Sequence, residues 1–287
     1  MADLELNQPA HATKDVCELS YLLPNRCTRV VLRQDNQTAN STGRTVWLGA
    51  QILSIYLYDL LGSKSAATRN GRRPRAVDLG SGTGLVALTL ASMDYDSLAT
   101  DVDLIVSGVL GQNVAANRAR LEGPVAADVL DWFSFDPGTW SWRAGQDGPS
   151  NDELPIDLIA TADTVYDAAL STPLLNCLHG LSLRSALFAP GHTSPPPCYV
   201  ALEVRDPGLV AAFFDLAASA QFGFKCTRVD PDRIRKLVQT KEGTLGWEDD
   251  ADWDGIEIWK LALSKRELAR ARAARKQAAA VPVAAGG

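Results

Sequence analysis

The sequence is poor in histidine and cysteine, and this scarcity excludes several kinds of site. Its three histidines, His11, His179 and His192, are far apart, and its five cysteines include no C-x-x-C pair. We therefore expect neither a metal site nor a disulfide framework, and we expect the cysteines to be reduced and mostly buried. Nucleophilic catalysis by a Ser/His/Asp triad would have to rest on scattered residues.

Long apolar runs and an excess of positive charge are also lacking. No run approaches the about 20 apolar residues of a membrane-spanning helix, and the first residues, "MADLELNQPAHATKD", do not show the basic-then-apolar pattern of a signal peptide. We therefore expect a cytoplasmic protein, with the nucleus as an alternative. The formal net charge of -6 is unfavourable for collecting nucleic acid and favours a basic partner.

The chain does contain a regular alternation of short apolar segments and helical segments. Of its 287 residues, 46% are hydrophobic and 22% are charged, which is typical of one large α/β domain. Predicted strands such as "AVDL", "SLATD" and "CYVALEV" are separated by segments with helical periodicity. This order predicts right-handed βαβ units and a mostly parallel sheet with helices on both faces. The earlier "TRVVLR" predicts a β-hairpin in front of the sheet.

Three parts of the chain are predicted to differ in order. Residues 1–15 are expected to be flexible, residues 16–263 to form the folded domain with a hairpin extension at 16–46, and residues 264–287 to form a basic, alanine-rich tail that is partly disordered. The segment 134–155, rich in Gly and Pro, is interpreted as an insertion. The tail is interpreted as a solvated helical extension, with an arm for RNA or an acidic protein as the alternative. We expect a monomer.

The stretch "VDLGSGTGL" places Gly80, Gly82 and Gly84 between a predicted strand and a helix. Glycines at such a turn allow a tight bend and a close approach of the backbone to a ligand. The spacing differs from the dinucleotide fingerprint G-x-G-x-x-G, and Asp78 would repel a pyrophosphate and favour a cation. S-adenosyl-L-methionine carries an amino group and a sulfonium, so it is the predicted cofactor, with Ser81 among its ligands. A glycine turn without a ligand is the alternative.

Further cofactor-binding candidates follow the next predicted strands. Asp101 ends "SLATD", where a carboxylate can accept hydrogen bonds from both ribose hydroxyls of a nucleoside. In "PVAADVLDWF", Asp128 can reach an adenine amino group and Trp132 can offer its ring, although a core position is an equally good interpretation of the tryptophan. Ala162, beside the end of "IDLIATAD", is included in the same set.

In their order and spacing, several segments together resemble a known family. They are similar to segments of the seven-β-strand protein-lysine methyltransferases, in particular the methyltransferase-like 21 and fungal elongation-factor methyltransferase group. The segments are "TVWLGAQIL", "VDLGSGTGLVAL", "TDVDLIVSGVLGQNVAANR", "DWF", "ADTVYD" and "ALEVRD". The resemblance covers about residues 16–263. The residues on which it most depends are Trp47, Asn113, Asn117 and the Asp-x-x-Tyr motif of Asp163 and Tyr166.

The resemblance implies a Rossmann-like class I S-adenosylmethionine-dependent methyltransferase with a seven-stranded sheet, in which Trp47 lies against the cofactor. It implies methylation of a lysine in a cytosolic protein, with a translation elongation factor as the first expected substrate and a heat-shock chaperone as the second. The chain departs from the group in "DWF", where Trp-Gly is common, in the long insertion, and in "EVRD", which is only similar to the usual Glu-Arg-Arg. These differences concern the substrate more than the cofactor.

Asp163 and Tyr166 are the predicted catalytic residues. A lysine ammonium has a pKa of about 10.4 and must lose a proton before its nitrogen can attack a methyl group. We interpret Asp163 as the acceptor that orients the amine and Tyr166 as a wall of the lysine channel, without a dedicated general base. The structural alternative is that Asp163 caps the following helix. Glu203 and Arg205 are candidates for substrate contact or for an ion pair that braces the Asp163 loop.

Three other functions are compatible with the same residues. A nucleic-acid amine methyltransferase has an Asp-Pro-Pro-Tyr type motif at this corner, but Thr164 and Val165 replace the prolines and the net charge is unfavourable for a phosphate substrate. A small-molecule methyltransferase stays open, because the sequence does not show whether the pocket is covered. The third is a non-catalytic scaffold that binds S-adenosylmethionine, against which the intact glycines, Asp101 and Asp163 argue.

Overall fold

The computed structural model describes residues 6–35, 42–62, 72–142, 154–188, 194–240 and 243–280. The strands are β1 (Glu18–Leu22), β2 (Arg29–Arg33), β3 (Arg75–Leu79), β4 (Asp96–Asp101), β5 (Val125–Val129), β6 (Leu158–Ala162), β7 (Cys198–Glu203), β8 (Phe224–Arg228) and β9 (Ile256–Leu263). The α-helices are α1 (Ala10–Thr13), α2 (Leu48–Leu61), α3 (Leu85–Ala91), α4 (Asp103–Ile105), α5 (Gly111–Asn117), α6 (Ala168–Phe188), α7 (Pro207–Ala218), α8 (Pro231–Gln239) and α9 (Lys265–Ala280). A π-helical turn (Val106–Leu110) joins α4 to α5.

Strands β3 to β9 form one sheet of seven strands in the order β5-β4-β3-β6-β7-β9-β8. The first five are parallel to one another, and β9 runs antiparallel to both of its neighbours, β7 and β8. Helices follow β3, β4 and β6 and return the chain to the same edge of the sheet, so the strands that come after them run parallel. This architecture confirms the predicted Rossmann-like, mostly parallel seven-stranded sheet.

Apolar side chains on both faces of the sheet explain why its central strands are short apolar segments. In β3, Val77 and Leu79 pack with Phe213 of α7 in one cluster, whereas Ala76 packs with Ile52 of α2 in another. Alternation of side chains along a strand sends neighbours to opposite faces. Helices therefore cover both faces, as predicted.

The two-stranded antiparallel sheet of β1 and β2 confirms the predicted N-terminal hairpin. The side-chain amide of Asn117 both accepts from the N–H of Val31 (2.9 Å) and donates to its carbonyl (2.8 Å). Asn113 does the same for Arg33, at 2.8 and 3.1 Å, and also donates to the carbonyl of Thr83 at 3.0 Å. These two amides, one helical turn apart, take the place of a neighbouring strand and tie the hairpin to the glycine loop.

Both ends of the described chain make long-range contacts. Residues 6–15 were expected to be flexible, yet the side chain of Asn7 exchanges two hydrogen bonds of 2.8 Å with the backbone of Leu22. Helix α9 opens the predicted tail, and its buried Glu267 pairs with His179 of α6 at 3.1 Å. Both contacts join residues far apart in the chain. Residues 281–287 and half of the predicted insertion (143–153 of 134–155) lie outside the described residues.

Two further expectations concern metals and membranes. Within the described ranges, no group of three or more His, Cys, Asp or Glu side chains could hold a metal ion. Among the helices of the same ranges, none has both the length and the apolar character needed to cross a bilayer.

Candidate active site

A cavity of about 460 Å³ opens at the carboxyl ends of the parallel strands. Its walls come from the glycine loop after β3, the ends of β4, β6 and β7, the loop after β5 and the segment that leads into α2. Such a crevice is the usual ligand site of an open parallel sheet. Twelve of the sequence-predicted site residues line it: Trp47, Asp78, Gly80, Ser81, Gly82, Asp101, Trp132, Ala162, Asp163, Tyr166, Glu203 and Arg205. Gly84 and Asp128 do not.

The glycine loop has the backbone shape that its composition predicts. Gly80 has φ +66°, and a Cβ there would lie 2.8 Å from Cγ2 of Thr164. Only glycine fits such a position without displacing its neighbour. Gly84 has φ +89° and precedes α3, where a Cβ would lie 2.9 Å from Cδ1 of Leu110. Gly84 is the residue that starts helix α3, and it is not part of the cavity wall.

Asp78 is buried, with 2% of its surface exposed, and lines the cavity. Its Oδ2 is one of the buried polar atoms without a hydrogen-bond partner among the described residues. Burial raises the pKa of Asp78 to about 7, against the lowering effect of hydrogen bonds with the Ser81 side chain and the Ala87 backbone. An unpaired buried carboxylate oxygen fits a cationic amino group, so the residues present fit the methionine end of S-adenosylmethionine.

Asp101 is held at the end of β4 by two backbone groups. Its Oδ2 accepts from the N–H of Gly82 at 2.9 Å, and its Oδ1 accepts from the N–H of Val102 at 2.8 Å. Burial raises its pKa, while these two hydrogen bonds lower it. Each oxygen keeps a further lone pair, so the carboxylate can still accept the hydroxyls of a ribose.

The predicted adenine contact Asp128 lies within β5, opposite Thr100, and its Oδ1 accepts from the N–H of Val129 at 2.9 Å. The cavity is lined instead by the four residues that follow the strand, Leu130 to Phe133. Asp131 is the acidic residue among them, and sequence reasoning missed it. The signal was its place directly before Trp132, past the end of the strand, where the chain crosses the sheet edge.

Asp163 follows β6 and has φ +57°, a conformation that aspartate adopts more readily than most residues. Its Oδ2 accepts from the N–H of Ala50 at 3.2 Å, in the first turn of α2. A Cβ on Gly49 would lie 2.6 Å from both carboxylate oxygens, so a glycine there makes room for Asp163. The alternative interpretation, a cap on the following helix, is wrong, because Asp167 supplies that cap through the N–H of Ala169 at 2.9 Å.

Burial raises the pKa of Asp163 to about 7. The N–H of Ala50 lowers this pKa, the charge of Glu203 raises it, and the guanidinium of Arg205 lowers it. The carboxylate is therefore poised to change its charge near neutral pH, which is a common property of groups in active sites.

Two aromatic side chains, those of Trp47 and Tyr166, line the cavity together with Asp163. Trp47 has two cations over its ring, the Nζ of Lys14 at 5.2 Å and the guanidinium carbon of Arg205 at 5.0 Å from the ring centre. Tyr166 is 52% exposed, and its hydroxyl lies 3.4 Å from Oγ1 of Thr42. An aromatic ring that already attracts cations is a suitable wall for a lysine side chain.

The charges of the cavity wall are strongly unbalanced. Six carboxylate side chains line it, those of Asp78, Asp101, Asp131, Asp163, Glu203 and Asp206. Arg205 is the single Lys or Arg among the described lining residues, and it donates to Glu203 at 2.5 Å. A wall of this composition favours cationic ligands and disfavours phosphates.

Comparison with known proteins gives a family and several relatives, two of which are described below. A family model described as lysine methyltransferase matches residues 27–189. Methyltransferase-like protein 22 of Mus musculus is 27% identical over 169 residues, covering 55% of this chain and 41% of the mouse protein. The Homo sapiens protein of the same name is 29% identical over 153 residues, covering 50% of this chain and 35% of the human protein. The matches thus span less than half of these relatives' own length.

Among solved structures, the N-terminal domain of human METTL16 in complex with SAH has a TM-score of 0.47 and 11% identity. The match covers 81% of this chain and 75% of that one. The human methyltransferase 10 domain containing protein has a TM-score of 0.44 and 11% identity, with 81% and 89% covered. At these scores neither structure supports an inference about the ligands of this chain.

Proposed function

This chain belongs to the lysine methyltransferase family, whose model matches residues 27–189, and on that premise we propose that it methylates the ε-amino group of a lysine in another protein. The observation that supports this most directly is that Asp163 shares one acidic cavity with the glycine loop. The loop fits the cofactor and Asp163 fits the amine, so donor and acceptor would meet in one place.

The cofactor site would be formed by residues of three strand ends. Asp78 would pair with the cationic amino group through its free Oδ2, and Asp101 would accept the ribose hydroxyls. Trp132 and Asp131 would contact the adenine. When bound, S-adenosylmethionine supplies an electrophilic methyl group on a sulfonium. The six lining carboxylates would also stabilise that positive charge.

The amine site would be formed around Asp163. Its carboxylate would accept a hydrogen bond from the target nitrogen and hold the lone pair in line for attack. Because burial raises its pKa to about 7, Asp163 also accepts a proton more readily than an ordinary aspartate. Trp47 and Tyr166 would flank the aliphatic part of the lysine and exclude water from it, which lowers the pKa of the ammonium.

We further propose a translation elongation factor as the target, and a heat-shock chaperone as the second candidate. This choice rests on the resemblance of "TADTVYD" and "TVWLGAQIL" to the elongation-factor methyltransferase group. The acidic cavity supports a lysine in a basic protein surface over a phosphate-bearing nucleic acid. We also propose that the protein acts as a monomer in the cytoplasm, with the nucleus as the alternative location.

The test is methylation of a lysate from cells that lack this protein, with radiolabelled S-adenosylmethionine and either the wild type or the Asp163→Ala variant. We expect one labelled protein band that is lost with the variant, and mass spectrometry should locate the methyl group on a lysine. Label in the nucleic-acid or small-molecule fraction would contradict the proposal. So would the absence of any label when calorimetry shows that the cofactor binds.

A further inference from the structure

Arg205 is held by the groups that a lysine ammonium would need. Its guanidinium carbon lies 5.0 Å from the centre of the Trp47 ring, and its Nη2 donates to Oε2 of Glu203 at 2.5 Å. The hydrogen bond with Glu203 and, to a smaller degree, the charge of Asp163 raise the pKa of the guanidinium. An aromatic face beside carboxylates is a general means of binding an alkylammonium ion.

Arg205 also has the freedom to leave this position. It lines the cavity, but 55% of its side-chain surface is exposed. Ion pairs and cation–π contacts at exposed positions are weak, because water competes for both partners. The guanidinium can therefore move into solvent without loss of the fold.

We infer that Arg205 is a specificity-determining residue, whose guanidinium occupies the cation position between Trp47 and Glu203 that the target lysine must take over. The inference rests on the proposed function for the identity of the incoming cation. A lysine ammonium that enters between Trp47 and Glu203 is repelled by the guanidinium held there, so the affinity for any amine is reduced by the free energy needed to displace Arg205.

Displacement of Arg205 lowers the affinity for a free amine and for a protein lysine by the same free energy, but only the protein lysine has further contacts that offset it. A small amine gains only the contacts of the cation position itself, which Arg205 already makes. A protein lysine gains further contacts between its surrounding chain and the cavity mouth, where Phe133 and Tyr166 expose 68% and 52% of their surface. Amines without such contacts, such as polyamines and free amino acids, cannot offset the displacement and bind weakly, whereas a protein lysine can.

Arg233 provides a matched control. Its guanidinium pairs with Asp59 at 2.6 Å and lies 4.9 Å from the centre of the Tyr56 ring, the same combination of contacts that Arg205 makes. Arg233 does not line the cavity. If Arg205→Gln changes amine binding because it empties the cation position, then Arg233→Gln, which removes the same kind of contacts outside the cavity, should leave amine binding unchanged.

The experiment measures the binding of n-butylammonium, a lysine side-chain analogue, by ligand-observed NMR in the presence of S-adenosylhomocysteine. We expect Arg205→Gln to lower the Kd about tenfold, which corresponds to ~1.4 kcal/mol. Arg205→Lys should stay close to the wild type, because it restores a competing cation. Arg233→Gln should not change the Kd. Trp47→Ala should weaken the binding in both the wild type and Arg205→Gln, which places the probe at this ring.

An unchanged or higher Kd in Arg205→Gln would overturn the inference and favour a bracing ion pair. An equal decrease in Arg233→Gln would also overturn it, because the effect would then come from net charge alone. The same variants are compared in the lysate assay, where Arg205→Gln should lower KM for the labelled protein with little change in kcat. If the wild type binds n-butylammonium as expected but labels no protein, the proposed function is contradicted, whereas the inference about the cation position is not.

Discussion

Asp163 accepts a hydrogen bond from the backbone N–H of Ala50, with Oδ2 3.2 Å from the nitrogen, although the two residues are 113 positions apart. The helix Leu48–Leu61 begins after Trp47, whose own side chain makes no capping hydrogen bond. The carboxylate thus caps this helix from a distant part of the chain and faces the cavity at the same time. Its orientation depends on the start of α2 as much as on β6.

Gly49→Ala should disturb Asp163 while leaving the helix intact. The new Cβ would lie 2.6 Å from both carboxylate oxygens, so the side chain must move. Alanine is otherwise the better helix residue by about 1 kcal/mol. We expect at least a roughly tenfold loss of methylation, of the size that a small misplacement in an active site causes, and less than about a threefold change in cofactor affinity. An unchanged rate of methylation would contradict this link between Gly49 and Asp163.

Asp163→Ala and Asp101→Ala should separate turnover from cofactor binding. Asp163→Ala should lower kcat about 100-fold, within the usual range for a group that orients or accepts a proton, and it should leave the affinity for S-adenosylhomocysteine largely intact. Asp101→Ala should weaken that affinity directly, because it removes the proposed ribose acceptor. Calorimetry and steady-state kinetics measure the two effects. A similar loss of cofactor affinity in both variants would contradict the division of roles.

Because Asp163 gains its charge as the pH rises, activity should increase with pH whereas the stability that this group contributes should decrease. Burial raises its pKa from 3.8 to about 7, so the carboxylate ionises fully only above that value. We expect methylation to rise as the pH passes through about 7. The folded state binds the proton more tightly than the unfolded state, so the stability that this group contributes is present below its ordinary pKa and is lost as the pH rises through about 7.

Asp163→Asn tests this coupling, because it removes the titration and keeps an acceptor for Ala50. The difference in Tm between the variant and the wild type should grow in favour of the variant between about pH 4 and 7. Activity should stay low at every pH. A difference in Tm that does not vary with pH would show that Asp163 titrates near its ordinary value.

Asn113 and Asn117 should differ in their effect on the cofactor. Asn117→Ala removes two hydrogen bonds to Val31 of the hairpin. Leaving these groups unpaired costs about 1–3 kcal/mol, which lowers Tm by about 3–10 °C in a domain of this size. Asn113→Ala loses the equivalent bonds to Arg33 and also the bond to Thr83 in the glycine loop. We expect only Asn113→Ala to weaken cofactor binding, as measured by calorimetry; equal affinities would contradict this link.

The placement of the site residues shows which parts were open to sequence reasoning. Asp101 was chosen because it ends an apolar strand and Asp163 because it directly follows one, and parallel strands end at one edge of the sheet. Asp128 was chosen on the same rule, but its strand continues to Val129, and the cavity is reached by Asp131. Strand ends defined from sequence are uncertain by a few residues, and a shift of that size changes which side chain lines the cavity.

By itself, the sequence determined the elements and their order. Apolar periodicity set the alternation of strands and helices, and the spacing of Gly80, Gly82 and Gly84 specified a tight loop, because these properties depend on residues close together in the chain. Only the tertiary structure decided that Asp163 caps α2 and that Arg205 lies over Trp47. These contacts join segments more than 100 residues apart. They depend on the packing of helices against the sheet, which the local sequence pattern does not specify.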